Sequence, residues 1–455
     1  MALFFRFSSQ EGKVFLKNSY QKLCIPKMQQ REYPESGNTK RNEYHRDFTR
    51  ILYSPAFRRL QGKMQILGVQ SDAFFRNRLT HSLEVSQIAR SIATNVGHRI
   101  GNGAYTCRKD LYVIEAAALA HDIGHPAFGH SGERILDRIC QKDVIGRFEG
   151  NAQNFRVLRT LEKKLPDKKG LNLTFRTLLA INKYLVCESA DKSVKKFMYK
   201  DDYDALTVIR GQTNLVGERT LDVQIIDVAD EIAYAVHDLE DALTFGYFNI
   251  DELMYLLKEK EKLSEKSFGI FDRAVKKAKN KAAKASTYIT TQEYSQVFRR
   301  SLVSQLTNRF ISDIGVIEVS DDVKKEHGTP NITHELGFCE LGGLVHGLKN
   351  VIFNAICRHD HINVYEQRGA TIIEGLYRIY TNVDNLQMLT PDYRPKLPKN
   401  KTYSDLNISQ KTALSRASID FIAGMMDDFA KGTYERYYGA HFDRIPIVGR
   451  EISFR

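Results

Sequence analysis

No stretch of the 455 residues approaches the roughly 18 uninterrupted apolar residues that a membrane helix needs. The opening MALFFRFSSQEGKVF has too short an apolar core for a secretory signal. A membrane-spanning or exported chain is therefore not expected, and a cytoplasmic location follows. The six cysteines, Cys24, Cys107, Cys140, Cys187, Cys339 and Cys357, lie far apart with no CxxC pair. That excludes a zinc ribbon or a disulfide framework and predicts reduced, mostly buried thiols. Prolines number only 10, and there is no low-complexity tract, internal repeat or long Gly/Ser linker, so nothing offers an obvious cut between domains. Strand-like alternation is equally scarce, DIGVIEV at 313–319 being the best candidate.

What is present is the make-up of a folded globular protein, 42% hydrophobic and 27% charged. Lysine and arginine outnumber aspartate and glutamate by 67 to 55, a net charge of +12 that favours polyanionic partners such as nucleotides or nucleic acid. Helical periodicity dominates. Val85, Ile88, Ala89, Ile92 and Val96 share one face of a helix that should end near Gly97 or Gly101. The runs 111–120 and 221–243 read as helices packed in the interior, and 415–431 as a third helix. The fold is expected to be all-α, mainly helical. The lysine-rich segment 258–284 reads as a solvated helix or loop, with a polyanion-binding patch as the sharper alternative, and 391–401, with three prolines, as a loop.

Chemistry concentrates in AALAHDIGHPAFGHSGE, residues 117–133. An apolar helix runs into His121 and Asp122 side by side, breaks at Gly124 and Pro126, and presents His125, His130 and Glu133 within one turn-rich stretch. An imidazole and a carboxylate at a helix end supply mixed N/O ligation for one cation. His81, at the start of the earlier amphipathic helix, is a third candidate. Asp230 is a fourth, and Asp230, Tyr234 and Asp238 repeat every four residues on one helix face. A carboxylate on so apolar a helix needs a partner or a metal.

In this order, His81, His121-Asp122 and Asp230 resemble the H…HD…D signature of the HD-domain phosphohydrolase superfamily. The blocks SPAFRRLQGKMQ, NRLTHSLEVSQIAR, HDIGHPAFGHSGE, FEGNAQNFR, DVADEIAYAVHDLEDA and RASIDFIAGMMDDFA are similar to the bacterial deoxyguanosine-triphosphate triphosphohydrolase family and its relatives acting on other deoxynucleotides. The last block departs from the usual pattern, with Met425-Met426-Asp427 where relatives often have Met-Thr-Asp.

The resemblance implies an N-terminal extension over 1–40, an HD-domain helical core over 41–245, and a helical C-terminal region over 246–455 that completes the substrate pocket and oligomer contacts. It implies one divalent ion (Mn, Mg, Fe, Zn, Co or Ni) held by His81, His121, Asp122 and Asp230. It also implies His125, His130 and Glu133 as catalytic groups at the α-phosphate, and Arg58 and Arg78 on the phosphate chain. Gln65 and Asp238 would sit at the sugar 3′-hydroxyl and Tyr234 against the sugar edge, with Glu149 and Asn151 behind them. The reaction implied is hydrolysis of a deoxynucleoside triphosphate, dGTP foremost, to a deoxynucleoside and triphosphate. Single-stranded nucleic acid binding is compatible with it, as is a hexameric or tetrameric homo-oligomer.

The alternatives are another HD phosphohydrolase, or a nucleic-acid-binding protein using the basic surface. The HHExxDGxGYP signature of cyclic-dinucleotide enzymes is absent, and a set of polar groups placed in apolar surroundings argues against an idle scaffold. His359-Asp360 reads as a surface decoy, and His45, His98 and His441 lack motif context.

Overall fold

The computed structural model describes residues 9–35, 41–65, 76–101, 103–143, 145–189, 191, 193–285, 287–357, 360–398, 403–439 and 441. Helices dominate as expected. Among the described residues the sheet is one hairpin, in which Ile314–Glu318 pairs antiparallel with His334–Phe338. The alternation at 313–319 thus marks a real strand.

Three helices form the centre. Arg78–Ile100 begins at a capping box: the Asn77 side chain accepts from the Thr80 N–H, and the Thr80 hydroxyl accepts from the Asn77 N–H. This cap fixes the first turn, which carries Arg78 and His81, while Val85, Ile88, Ala89, Ile92 and Val96 are buried as their spacing predicts. Arg108–Ala120 buries every residue from Ala116 to Ala120, and the small alanines allow close approach of its neighbours. Leu221–Thr244 starts at Thr220, whose hydroxyl accepts from the Val223 N–H, and lies against both.

One buried cation ties the starts of two of these helices together. Arg176 donates to Asp110 at 2.6 Å and to Asp222 at 2.7 Å, and the Tyr105 hydroxyl donates to Asp222 at 2.5 Å. Asp110 opens the 108–120 helix and Asp222 the 221–244 helix, so the knot sets the relative position of the two elements that carry His121 and Asp230.

Beyond residue 245 the helices are divided between two apolar clusters. Helices Glu265–Ala282, Thr291–Asp313 and Gly342–Cys357 join the central core. Helix Asp360–Tyr380 packs instead on Gly129–Lys142, and Ile408–Ala423 and Asp427–Tyr438 pack on it in turn, so that Ile373, Leu376, Ile419, Ile422 and Tyr434 share one apolar cluster with Ile135, Leu136 and Ile139. The single helix expected over 415–431 is two. The break at 424–426 lets the Asp427 carboxylate reach the Met64 and Phe128 N–H groups, which it could not do inside a continuous helix. Glu265–Ala282 in the lysine-rich segment is an amphipathic helix that buries Ile270, Phe271, Val275 and Ala278, as the solvated-helix reading requires. No disulfide joins the five described thiols, as expected, but they are not mostly buried: only Cys140 is, while Cys24 and Cys107 are exposed. His359 lies outside the described residues, and Asp360 is exposed at the start of its helix. No helix among the described residues is long and apolar enough to cross a membrane.

Removing the cation from the knot would leave two buried carboxylates facing each other. Arg176→Met is expected to destabilise the protein by about 3–5 kcal/mol, the scale for a broken buried ion pair, measured by denaturant unfolding. A loss below ~1 kcal/mol would show that the knot does not organise the two helices.

Candidate active site

The three central helices bring four polar side chains to one point. Asp230 Oδ1 lies 3.1 Å from His81 Nε2 and 3.5 Å from His121 Nε2, and Asp122 Oδ1 lies 3.6 Å from His121 Nε2. Donor atoms of His81, His121 and Asp122 all fall within 4.8 Å of one another. His121 Nδ1 donates to the Ala118 carbonyl at 2.7 Å, which turns Nε2 toward the acids, where it is buried without a hydrogen-bond partner.

Burial works against charge on every one of these groups, yet the facing opposite charges win. Against burial, Asp122 and Asp230 hold His121 up at about 9. Against burial, the imidazoles around them, together with Arg78 beside Asp122, keep both carboxyls well below the usual carboxylate range. A cluster that draws a proton onto a buried imidazole draws cations in general, and its mixed N/O donors suit Mn, Fe, Zn, Co or Ni. The residues present therefore fit a divalent ion.

Asp122 is aimed from both sides. Arg78 Nη1 donates to its Oδ2 at 2.6 Å, and His125 Nδ1 stands 3.1 Å from its Oδ1. Burial, opposed by the Asp122 charge and reinforced by the Arg78 cation, holds His125 down at about 3, so this imidazole stays neutral at physiological pH. The turn itself is gripped by Asn154, whose side-chain oxygen accepts from the Gly124 N–H at 2.6 Å and whose amide donates to the His121 carbonyl. Gly124 must lack a side chain, because a Cβ there would lie 2.3 Å from the Asn154 nitrogen.

Beyond the turn, His130 Nδ1 is 3.5 Å from Glu133 Oε2, and Glu133 Oε1 accepts from the Gly150 N–H at 2.9 Å. Burial opposes the Glu133 charge, but His130 and Lys196 keep its carboxyl below the usual range. Glu149 caps the 150–156 helix at the Ala152 N–H, and it holds Lys196 at 2.7 Å and the Asn151 amide at 2.8 Å.

A cavity of about 370 Å³ opens beside this centre. Its lining combines Gln65, His130, Tyr234 and Asp238 with Lys349, Asn350, Phe353, Ile356, Ile362 and Glu366. The Tyr234 ring stands 5.0 Å from the His81 ring, joining cavity to cluster. Gln65 is 4% exposed, and neither of its amide atoms has a partner. Burial and the nearby Asp241 charge push the Asp238 carboxyl well above its ordinary value. Of the residues singled out in the sequence, Arg58 alone stands apart, exposed on Pro55–Arg59 and not among the residues lining the cavity.

Several polar groups carry no motif signal. Lys183, ion-paired with Asp227, and Lys196 lie in a segment with little resemblance to the family blocks, while Lys349 and Glu366 come from two C-terminal helices. Single charged residues in unpatterned sequence give no warning of where folding will carry them.

A histidine, a His-Asp pair and a distant aspartate converging from three helices define an HD-domain hydrolase. Residues 78–235 match the HD domain family, and residues 341–436 match the phosphohydrolase-associated domain. Over 92% of its length the chain is 40% identical to the deoxyguanosinetriphosphate triphosphohydrolase-like protein 2 of Vibrio cholerae, covering 94% of that protein. It is 32% identical to the deoxyguanosinetriphosphate triphosphohydrolase-like protein of Wolinella succinogenes, over 88% of its own length and 96% of the relative. The chain belongs to the deoxyguanosinetriphosphate triphosphohydrolase-like family of HD-domain hydrolases.

His121→Ala and Asp230→Ala are each expected to lose bound divalent metal after purification and dialysis, because each removes a donor from a small set. Elemental analysis reads the outcome, and full occupancy in Asp230→Ala would remove Asp230 from the site. Asn154→Ala should lower metal affinity by about 10- to 100-fold, the scale for a group that orients ligands.

Proposed function

We propose that the protein is a divalent-metal-dependent deoxynucleoside triphosphohydrolase acting preferentially on dGTP and releasing deoxyguanosine and inorganic triphosphate. The observation that carries this reading is the unpartnered Gln65 amide, buried in a cavity wall with Tyr234 and Asp238 beside the His-Asp cluster. Buried amide atoms without partners call for a polar ligand. The ion would be held by His81, His121, Asp122 and Asp230, and when bound it supplies Lewis acidity at a phosphoryl oxygen.

The protein's own groups divide the remaining work. Arg78, buried against Asp122 with its Nε unpartnered, supplies a fork for phosphate oxygens. Lys183 and Lys196 add positive charge near the cluster, each already tied to an acid that fixes its position. His130, backed by the anchored Glu133 carboxylate, handles the proton as water attacks the α-phosphorus and the bond to O5′ breaks. The O5′ leaves with a proton on the deoxynucleoside, and triphosphate is the other product. His125, kept neutral, offers a hydrogen bond to an α-phosphate oxygen without adding charge. Arg58 would reach the phosphate chain only from an exposed position outside the cavity lining.

The sugar would lie against Tyr234, which leaves no room for a 2′-hydroxyl, with Gln65 and Asp238 at the 3′-hydroxyl. The far end of the cavity favours guanine. Glu366, whose carboxylate also accepts from Arg134 at 3.2 Å, would accept from N1–H and the 2-amino group, and Phe353 would offer a ring face, while Lys349, whose ammonium lies 6.0 Å from the Tyr234 ring, adds positive charge nearer the sugar. Adenine would set its N1 lone pair against that carboxylate. The +12 charge and the lysine-rich outer face of Glu265–Ala282 support single-stranded nucleic acid as a further partner, and the family resemblance supports a hexamer or tetramer.

Incubation with Mn and each nucleoside triphosphate should give triphosphate from dGTP first, other deoxynucleotides next and ribonucleotides least. Release of orthophosphate or pyrophosphate instead would overturn the assigned bond cleavage. His130→Ala and Glu133→Ala should each slow turnover by about 10²-fold or more with metal retained. Tyr234→Ala should relax discrimination at the 2′ position while lowering activity, since the sugar is held less firmly. Equal catalytic efficiency of the unaltered enzyme toward ribo- and deoxyribonucleotides would sink this role for Tyr234.

A further inference from the structure

The two walls that carry Gln65 and His130 are separate backbone segments, and one side chain from the distant C-terminal region holds both. Asp427, 1% exposed, opens the Asp427–Tyr438 helix. Its Oδ2 accepts from the Met64 N–H at 3.0 Å and from the Tyr365 hydroxyl at 3.2 Å, and its Oδ1 accepts from the Phe128 N–H at 3.1 Å. Met64 directly precedes Gln65, and Phe128 lies two residues before His130.

Both amides need such a partner. Phe128 has φ of +61°, a left-handed conformation that an aromatic residue rarely adopts, and it sits at the point where the His-Asp turn becomes the 129–142 helix. Its ring is wedged over Gly369, where a Cβ would lie 2.4 Å from the ring carbon. Such a conformation persists only where its surroundings impose it. Lys63 adds a tie in the same direction, donating to the His125 carbonyl at 2.5 Å and the Ala423 carbonyl at 2.9 Å.

We propose that Asp427 is a positioning residue: one carboxylate sets the separation of Gln65 and His130 in the cavity lining, and through it the reading of the sugar 3′-hydroxyl. The role rests on the nucleotide reading of the cavity given above. Asparagine has the same shape, but only one of its two terminal atoms can accept, and its amide nitrogen would face an N–H or hydroxyl donor. A change of one atom therefore releases one wall from the other.

Asp427→Asn in the full-length protein tests this by two measurements. Amide exchange, followed by mass spectrometry on peptides spanning residues 62–65 and 126–130, should accelerate at least tenfold in one or both segments, with metal content unchanged. The ratio of kcat/KM for 2′-deoxy over 2′,3′-dideoxy triphosphates should fall at least fivefold. A purely structural defect lowers the active fraction for both substrates alike and leaves that ratio unmoved. If Asp427→Asn does not fold, Tyr365→Phe removes one donor and keeps the carboxylate, and the ratio should shift in the same direction by a smaller factor. Unaccelerated exchange in both segments, or an unchanged ratio in a folded variant, overturns the proposal. Failure of the unaltered enzyme to hydrolyse either triphosphate would instead overturn the nucleotide reading, and amide exchange alone would still judge the clamp.

Discussion

Asp122 and Asp230 are carboxylates placed where a helical core is otherwise alanine, valine and isoleucine, and keeping both ionised constrains everything around them. Alone, either would be driven to its neutral form by burial. The His121 imidazole and the Arg78 guanidinium supply the opposing charge, at separations where attraction at an effective dielectric near 20 is worth about 4 kcal/mol per pair. That compensation works only if three helices deliver their side chains to one point. The Asn77 cap, the Arg176 knot and the Asn154 grip on the turn each fix one of the deliveries. The resulting cluster is poised for one more positive charge, and the proton drawn onto His121 is the sign of it.

The cavity obeys a different rule. Its walls come from segments hundreds of residues apart, with Gln65 and His130 from the N-terminal half and Lys349, Phe353 and Glu366 from the C-terminal half. The 342–357 helix packs on the 221–244 helix that carries Asp230, and Lys349 pairs with Glu231 there. In the nucleotide reading the C-terminal helices would close the base end of the cavity, while Tyr234 and Asp238, on the helix that carries Asp230, would hold the sugar.

How much of this was legible in the sequence follows from the range of the interactions concerned. His81 on an amphipathic helix, the His121-Asp122 dipeptide at a helix end and the Asp230-Tyr234-Asp238 spacing are local patterns, readable because helix geometry alone relates the residues. The break at 424–426 was not readable, because the apolar period continues through it and only the reach of Asp427 to Met64 and Phe128 explains it. Nor do the three histidines of the 121–130 turn differ in sequence in any way that states their chemistry. Packing holds His121 up at about 9 and His125 down at about 3, and leaves His130 half exposed at the cavity. Those differences come from neighbours such as Arg78 and Asp230, which are distant in sequence. Lys183, Lys196, Lys349 and Glu366 stayed hidden for the same reason.

The 221–244 helix shows how environment divides labour among like residues. Asp227, Asp230, Asp238 and Asp241 all lie along it, and their carboxyls are pushed in opposite directions. Asp227, buried but paired with Lys183 and Arg219, is held low, and Asp230 is held low by its imidazoles. Two turns further, burial and the Asp241 charge raise Asp238 well above its ordinary value, and burial with the Glu240 and Glu84 charges raises Asp241 to about 6, although Arg76 binds Asp241. The helix therefore runs from an end where opposite charges hold the acids low, where a cation would be held, to an end where burial and like charge push them up. A protonated Asp238 can donate a hydrogen bond as well as accept one, whereas an ionised one only accepts. In the proposed nucleotide complex the upward push on Asp238 favours the form that can donate to a sugar hydroxyl as well as accept from it.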